Sequence, residues 1–341
     1  MPSSQVRTIA VSALVLVAIA AAWLVPTFVR GNFWLHLLDM TLINAVMALG
    51  LNVILKTGQV SLAQAAFMAI GAYASAQLTV KLGLPFLIGF VLAGVISAAV
   101  ALALGRTILR LKGVYFILFT FALNEFIFLL SKDAAFLTGG NTGITGIKAP
   151  ILPFIDGPLA SKAAFYYFVL AVFLICVAML AVLYRSPLGR AMDAVRESEL
   201  LAESTGYNPA RIKLIAFVIG SFIAGIGGSL FAHFLRYIAP FNFTFWESVN
   251  FLLMNIIGGS FSLTGPIIGA FIITPLPELL RDYLLWQQVF YGVILMLFMR
   301  FLPDGVVSIG KLMVDGIAYW RTTPTRQDAP PLAAQPAETQ S

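Results

Sequence analysis

The feature that most restricts this chain is a succession of apolar runs, most about as long as a bilayer is thick, separated by short polar breaks. A helical residue advances about 1.5 Å, so roughly 20 apolar residues cross a hydrocarbon core of about 30 Å. Thr8–Val29, Trp34–Leu55, Ser61–Val80, Pro85–Leu109, Val114–Leu130, Ala163–Tyr184 and Ile212–Leu235 meet or approach that length. Two shorter runs, Ser248–Ile257 and Ile267–Leu280, flank the glycines and proline of GGSFSLTGP, and a last run covers Trp286–Phe301. Only 11% of the 341 residues are charged, against about a quarter in a soluble domain. The expected fold is an all-α, polytopic transmembrane helix bundle of about ten spans, some short or broken.

An even number of passes puts both termini on one side, and the excess of Lys and Arg on cytoplasmic loops chooses that side. With a cytoplasmic N-terminus, fourteen of the 21 basic residues lie inside. The TGGNTGITG loop at 138–146 then faces outward. The first run is longer than the core of a signal peptide, so an uncleaved span is expected despite the small-residue triplet Ala18-Ile19-Ala20. Basic residues sit at the ends of apolar runs and not among exposed aromatics, which argues for membrane orientation and against a nucleic-acid partner.

One long charged segment interrupts the apolar sequence. Arg185–Lys213 holds five basic and four acidic residues, and must lie in water between two spans. Leu188, Ala191, Met192, Val195, Leu200 and Leu201 recur at helical spacing opposite Arg190, Asp193, Arg196, Glu197 and Glu203, an amphipathic pattern with an apolar face available to a partner. Gly206 ends this helix, and Asn208-Pro209 supplies an N-cap and first turn for the next.

The inventory for enzyme chemistry is poor. His36 and His233 stand alone at span ends, Cys176 lies inside an apolar run, and no metal-ligand spacing or hydrolytic triad is present. Gly305–Lys311 begins like a phosphate loop, but Leu312 stands where Ser or Thr must hold magnesium. No cofactor is therefore expected. More informative are polar residues at membrane depth, above all Glu125 beside Asn124, then Asn44, Asn52, Gln64, Gln77, Asn250 and Asn255. They either line a polar pathway or bond helices to one another. Glu125 would be the coupling or selectivity group of an ion-driven carrier or channel, the alternative function class. Broken helices at Gly258–Pro266 and Thr57–Ser61 point to a cavity, because free backbone groups are tolerated only where protein or water covers them. The small residues Gly220, Ser221, Ala224, Gly225, Gly227 and Gly228 allow close packing, in this chain or against a second subunit. The pairs Gly58-x-x-Ser61-Leu62 and Gly259-x-x-Ser262-Leu263 match, but too briefly to establish a repeat.

Taken together, TGQVSLAQAAFMAIGAY at 57–73, RLKGVYFILFTFALNE at 110–125, TGGNTGITG, SPLGRAMDAVRESELLAESTGYNPARIKLIAF at 186–217 and IIGGSFSLTGPIIGA at 256–270 resemble the inner-membrane permease subunits of branched-chain amino acid ABC importers. The resemblance covers about residues 35–305. It implies half of a translocation pathway, a second homologous permease, two cytoplasmic ATPases and a periplasmic substrate-binding protein. It also implies that the segment around Leu188, Gly189, Arg190 and Met192 docks onto an ATPase, with Glu199, Ala202, Glu203 and Gly206 where a Glu-Ala-Ala…Gly signature falls. Ser204 and Thr205 depart from that signature. Glu125, Asn124, Gln64 and Asn255 are the candidate pathway residues. Residues 1–30 would form a separate N-terminal segment, 31–305 the permease domain, and 306–341 a cytoplasmic helix and disordered tail.

Overall fold

The computed structural model describes residues 31–108, 111–151 and 162–279, together with residue 26 and the single positions 289, 292, 293, 296, 297, 300 and 305–307. The expected span Thr8–Val29, most of Trp286–Phe301 and the tail lie outside the described residues. Helices α1 (Asn32–Leu55), α2 (Gln64–Val80), α3 (Phe86–Ile108), α4 (Val114–Asp133) and the short α5 (Ala135–Thr138) come first. Then follow α6 (Lys162–Arg185), α7 (Pro187–Glu197), α8 (Glu199–Ser204), α9 (Pro209–Leu235), α10 (Phe245–Gly258), α11 (Gly265–Ile273) and α12 (Leu276–Leu279). Two-residue strands β1 (Ile144–Thr145) and β2 (Tyr237–Ile238) pair antiparallel. Among the described residues, five helices, α1, α3, α4, α6 and α9, are long and apolar enough to cross a membrane. The all-α multi-pass bundle is therefore what these residues build.

At the centre lies α9, packed against α1, α2 and α3. Its small residues explain how three helices reach it. A Cβ placed on Gly71 of α2 would overlap the backbone of Gly225, and one on Gly225 would meet Ala93 and Ser97 of α3. Gly220 likewise abuts Gly50 of α1, and Gly228 abuts Met68 of α2. The question left open by the sequence is answered: these small residues receive neighbours from the same chain. Without a hydrophobic force between helices in lipid, such backbone-level packing supplies the attraction. The outward faces of α3 and α4 carry Leu87, Ile88, Val91, Val95, Tyr115, Leu118, Phe126 and Leu129, all exposed, the reverse of a water-soluble surface.

The two ends of the bundle differ. One gathers Lys56, Lys112, Asp193, Arg196, Glu199 and Lys213 into contact. At the other, TGGNTGITG folds into glycine turns with positive φ at Gly139, Gly140 and Gly143, pinned by Ile144 pairing with Ile238. Helix α9, at 27 residues, connects the charged end to the strand end.

Candidate functional site

The charged segment is built from its caps inward. Ser186 accepts the Gly189 N–H at 3.3 Å and starts α7 with Pro187 in its first turn. Ser198 adopts an extended backbone, ends α7 and caps α8 through the Leu201 N–H. The single helix expected across 188–206 is therefore two helices. Gly206, at φ 88°, closes α8: its N–H bonds the Glu203 carbonyl, and the Tyr207 N–H reaches back to Ala202. This six-to-one, five-to-two pattern requires a left-handed residue, which glycine adopts without strain. Asn208 then caps α9 through the Arg211 N–H at 3.0 Å, as its sequence predicts.

A second expectation is corrected. The apolar face of α7 has an intrachain partner: Met192 is 0% exposed, and Ala191, Val195 and Ala202 are buried in the same cluster as α1 and α9. Helical periodicity identifies a sticky face but not what covers it. Gly189 is buried, Leu188 is half-buried, and Arg190, Glu203 and Gly206 are exposed. What faces outward is Leu200 at 76% exposure, Leu201 at 67% and Tyr207 beside them.

Ion pairs fix the segment to the bundle. Lys56, at the end of α1, holds Asp193 at 2.8 Å and lies 4.6 Å from the Tyr184 ring centre. Glu199 accepts from Lys213 at 2.6 Å and pairs with Lys112 at 3.3 Å. Arg196 lies 3.7 Å from Asp193, and its guanidinium stacks 4.3 Å from the Phe261 ring centre. A Cβ on Gly58 would touch Arg196 as well. Arg196 thus meets both helix breaks, one at residues 56–63 between α1 and α2, the other at 259–264 between α10 and α11.

The two breaks share a geometry that the brief sequence match understates. Gly58 has φ 80° and Gly259 φ 123°, and three residues later Ser61 and Ser262 accept backbone N–H bonds from Ala63 and Gly265. A buried amide network joins the second break to α1 and α6. Asn52 donates to Asn255 Oδ1 at 2.9 Å and to the Ser260 carbonyl at 2.7 Å, and accepts from the Tyr184 hydroxyl at 2.6 Å. Asn255 in turn donates to the Ala48 and Phe251 carbonyls.

The other candidate pathway residues fall into a second group. Ser248 of α10 accepts the Ala65 N–H and donates to Asn124, bringing the start of α2, α4 and α10 together. Gln64 donates to the Met47 carbonyl at 2.9 Å. Gln64 Oε1 and Asn124 Nδ2 are buried with no hydrogen-bond partner. Glu125, next in sequence, is half-buried on α4. Asn255 lies with Asn52, apart from this group, and is fully bonded.

The sequence profile of the family described as branched-chain amino acid transport system / permease component matches residues 33–300. High-affinity branched-chain amino acid transport system permease protein LivM of Salmonella typhimurium is 33% identical over 321 residues, covering 87% of this chain and 75% of that protein. The chain belongs to this permease family. The LivM protein of Escherichia coli K12 is 33% identical over 318 residues, covering 87% of the permease and 74% of the relative. Ribose import permease protein RbsC of the same organism is 25% identical over 288 residues, 77% of the permease and 82% of that protein. No solved structure matches the permease.

Sequence reading missed Lys56, Tyr184 and Arg196 as a group. The sequence offered only a lysine at a span end, where such side chains ordinarily reach for water; its 6% exposure emerges from the fold. Burial raises the Glu199 carboxyl pKa, but the hydrogen bonds and charges of Lys213 and Lys112 outweigh it and hold the group below its ordinary value. A carboxylate held low stabilises the fold above its unfolded pKa, and that contribution is lost as pH falls through the folded pKa. A spin label on the exposed Ser204 of the permease should therefore keep constant mobility from about pH 8 to about pH 5 and loosen only below that. Glu199→Gln should be loose throughout. Loosening of the native segment between about pH 6 and pH 8 would contradict the assignment.

Proposed function

We propose that this permease forms half of the translocation pathway of an ATP-binding cassette importer for branched-chain amino acids in a bacterial inner membrane. Its partners are a second homologous permease, two cytoplasmic ATPases and a periplasmic substrate-binding protein. The charged end and both termini face the cytoplasm. The observation that carries this reading is the α7–α8 segment, anchored on its inner side to α1, α9 and both helix breaks while Leu200, Leu201 and Tyr207 project from it. An ATPase gripping those apolar side chains would move the segment as a unit, and Lys56, Asp193 and Arg196 would carry the shift to the breaks. Gln64, Asn124 and Glu125 then line the pathway that opens, their polar groups being costly anywhere else at membrane depth.

The buried and exposed sides of the segment separate two outcomes. Leu201→Glu should leave the permease folded and inserted but cost about 2 kcal/mol or more of docking, so that ATP-driven uptake by the assembled complex falls over tenfold. Met192→Glu places a charge in the core and should instead remove the protein from the membrane, since an unpaired buried charge costs several kcal/mol. Native uptake by Leu201→Glu would count against ATPase docking there. Uptake by the purified permease alone under a proton or sodium gradient would instead favour an ion-driven carrier using Glu125.

A further inference from the structure

Where the first helix break, the start of α4 and the α7–α8 junction meet, they border a half-open cavity of about 460 Å³, apart from the Gln64, Asn124 and Glu125 group. Its polar lining presents both signs of charge: Lys112, Arg196 and Lys213 against Glu197 and Glu199. Its remaining wall is largely aliphatic, from Val60, Val114, Ile117 and Val195. Gln59 also lines it, is only 6% exposed, and its Oε1 is buried with no hydrogen-bond partner. A buried acceptor without a donor is uncommon in a finished structure and asks for an occupant that donates.

The lining discriminates among small ligands. A phosphate would face the carboxylates of Glu197 and Glu199, and a simple amine would face three cations. A zwitterion sets each pole against the opposite sign. Its ammonium supplies the donor that Gln59 lacks, and its carboxylate meets Lys112, which lines the cavity, is 77% exposed and is held only by its 3.3 Å pairing with Glu199. The aliphatic wall then selects an aliphatic side chain, and the volume lies in the range of small-molecule sites.

We infer that this cavity binds a free aliphatic α-amino acid on the side where the transported substrate is released, and that its occupation clamps the α7–α8 junction to α1 and α4 and slows further transport. The regulatory half of this inference rests on the import direction and substrate class proposed above. The binding half does not.

Binding is tested by equilibrium dialysis of labelled L-leucine against the purified importer without its binding protein. Native complex should bind. Gln59→Leu should weaken binding about tenfold, the worth of one hydrogen bond to a charged group. Val114→Trp, from the cavity rim, should block it while the complex still elutes intact. L-leucinol and 4-methylpentanoate, each lacking one charge, should compete at least tenfold less well. No binding, binding untouched by both variants, or equal competition by either analogue overturns the inference. In vesicles with ATP trapped inside, luminal L-leucine should lower the initial uptake rate of the native importer several-fold relative to empty lumen, and the ratio should return toward one in Gln59→Leu. An unchanged native ratio overturns the regulatory half. Normal uptake with no cavity binding sinks this inference alone, whereas absent ATP-driven uptake sinks the transport reading and leaves the dialysis result standing.

Discussion

Asn52→Leu should unfold or strand the permease more severely than any other change of one polar side chain. Asn52 is fully buried, and its loss leaves three groups without partners: the Tyr184 hydroxyl, the Ser260 carbonyl and Asn255 Oδ1. Each buried orphan costs about 1–3 kcal/mol, so a total of about 3–5 kcal/mol is expected after partial relaxation. The comparison is Tyr184→Phe, which removes one hydroxyl and should cost about 1 kcal/mol. Because the two residues share a bond, adding Tyr184→Phe to Asn52→Leu should cost almost nothing more. Thermal melting in detergent and uptake in vesicles both read the effect. An Asn52→Leu protein that melts with the native one would show that the network does not hold the second break.

Gly225→Leu is the second large effect, and its cause is steric. The Gly225 backbone lies against Gly71, and its Cα faces Ala93 and Ser97, so no rotamer of leucine fits without parting α9 from α2 and α3. Overpacking of a close-packed core costs about 1–3 kcal/mol when neighbours can yield and more when, as with the Ala93 carbonyl here, one of them is backbone. The protein should disappear from the membrane fraction. Gly83→Ala is the control: open space surrounds that glycine, and only its φ of 63° is disturbed, at about 1 kcal/mol. Equal membrane levels for Gly225→Leu and native permease would contradict the packing described.

These two variants also mark what a sequence can and cannot disclose. Span positions were legible because a bilayer demands length and apolarity together, so Trp34–Leu55 anticipates α1 almost to the residue. Helix punctuation was equally legible, since Gly206 and Asn208-Pro209 act through local backbone geometry. The start of α2 was not. Ser61 belongs to an apolar run, yet the chain stays irregular until Gln64, where the Leu62 and Ala65 N–H groups bond side chains of α4 and α10. The destination of Met192 was hidden for the same reason: amphipathicity is a property of one helix, while its cover comes from residues far away in sequence. Lys56 and Asp193 lie 137 positions apart, and nothing in either neighbourhood names the other. The paired breaks show the opposite failure. Gly58-x-x-Ser61-Leu62 and Gly259-x-x-Ser262-Leu263 share too few letters to count as a repeat, yet both glycines have positive φ and both serines accept a backbone N–H from the chain that follows.

The Arg196 junction ties the charged segment to both helix breaks. Arg196 touches one break through Gly58 and the other through Phe261, so any displacement of α7 is felt by both at once.

We propose that the motor takes hold of the outward edge of α8. A photo-activated cross-linker placed at Leu201, with Tyr237 of the strand end as the paired position, measures this directly in the assembled importer. Leu201 should join to an ATPase subunit, and Tyr237 should not. Capture of the periplasmic binding protein or of lipid alone from Leu201, with the ATPase reached only from Tyr237, would place the motor at the wrong end of the bundle and contradict the account.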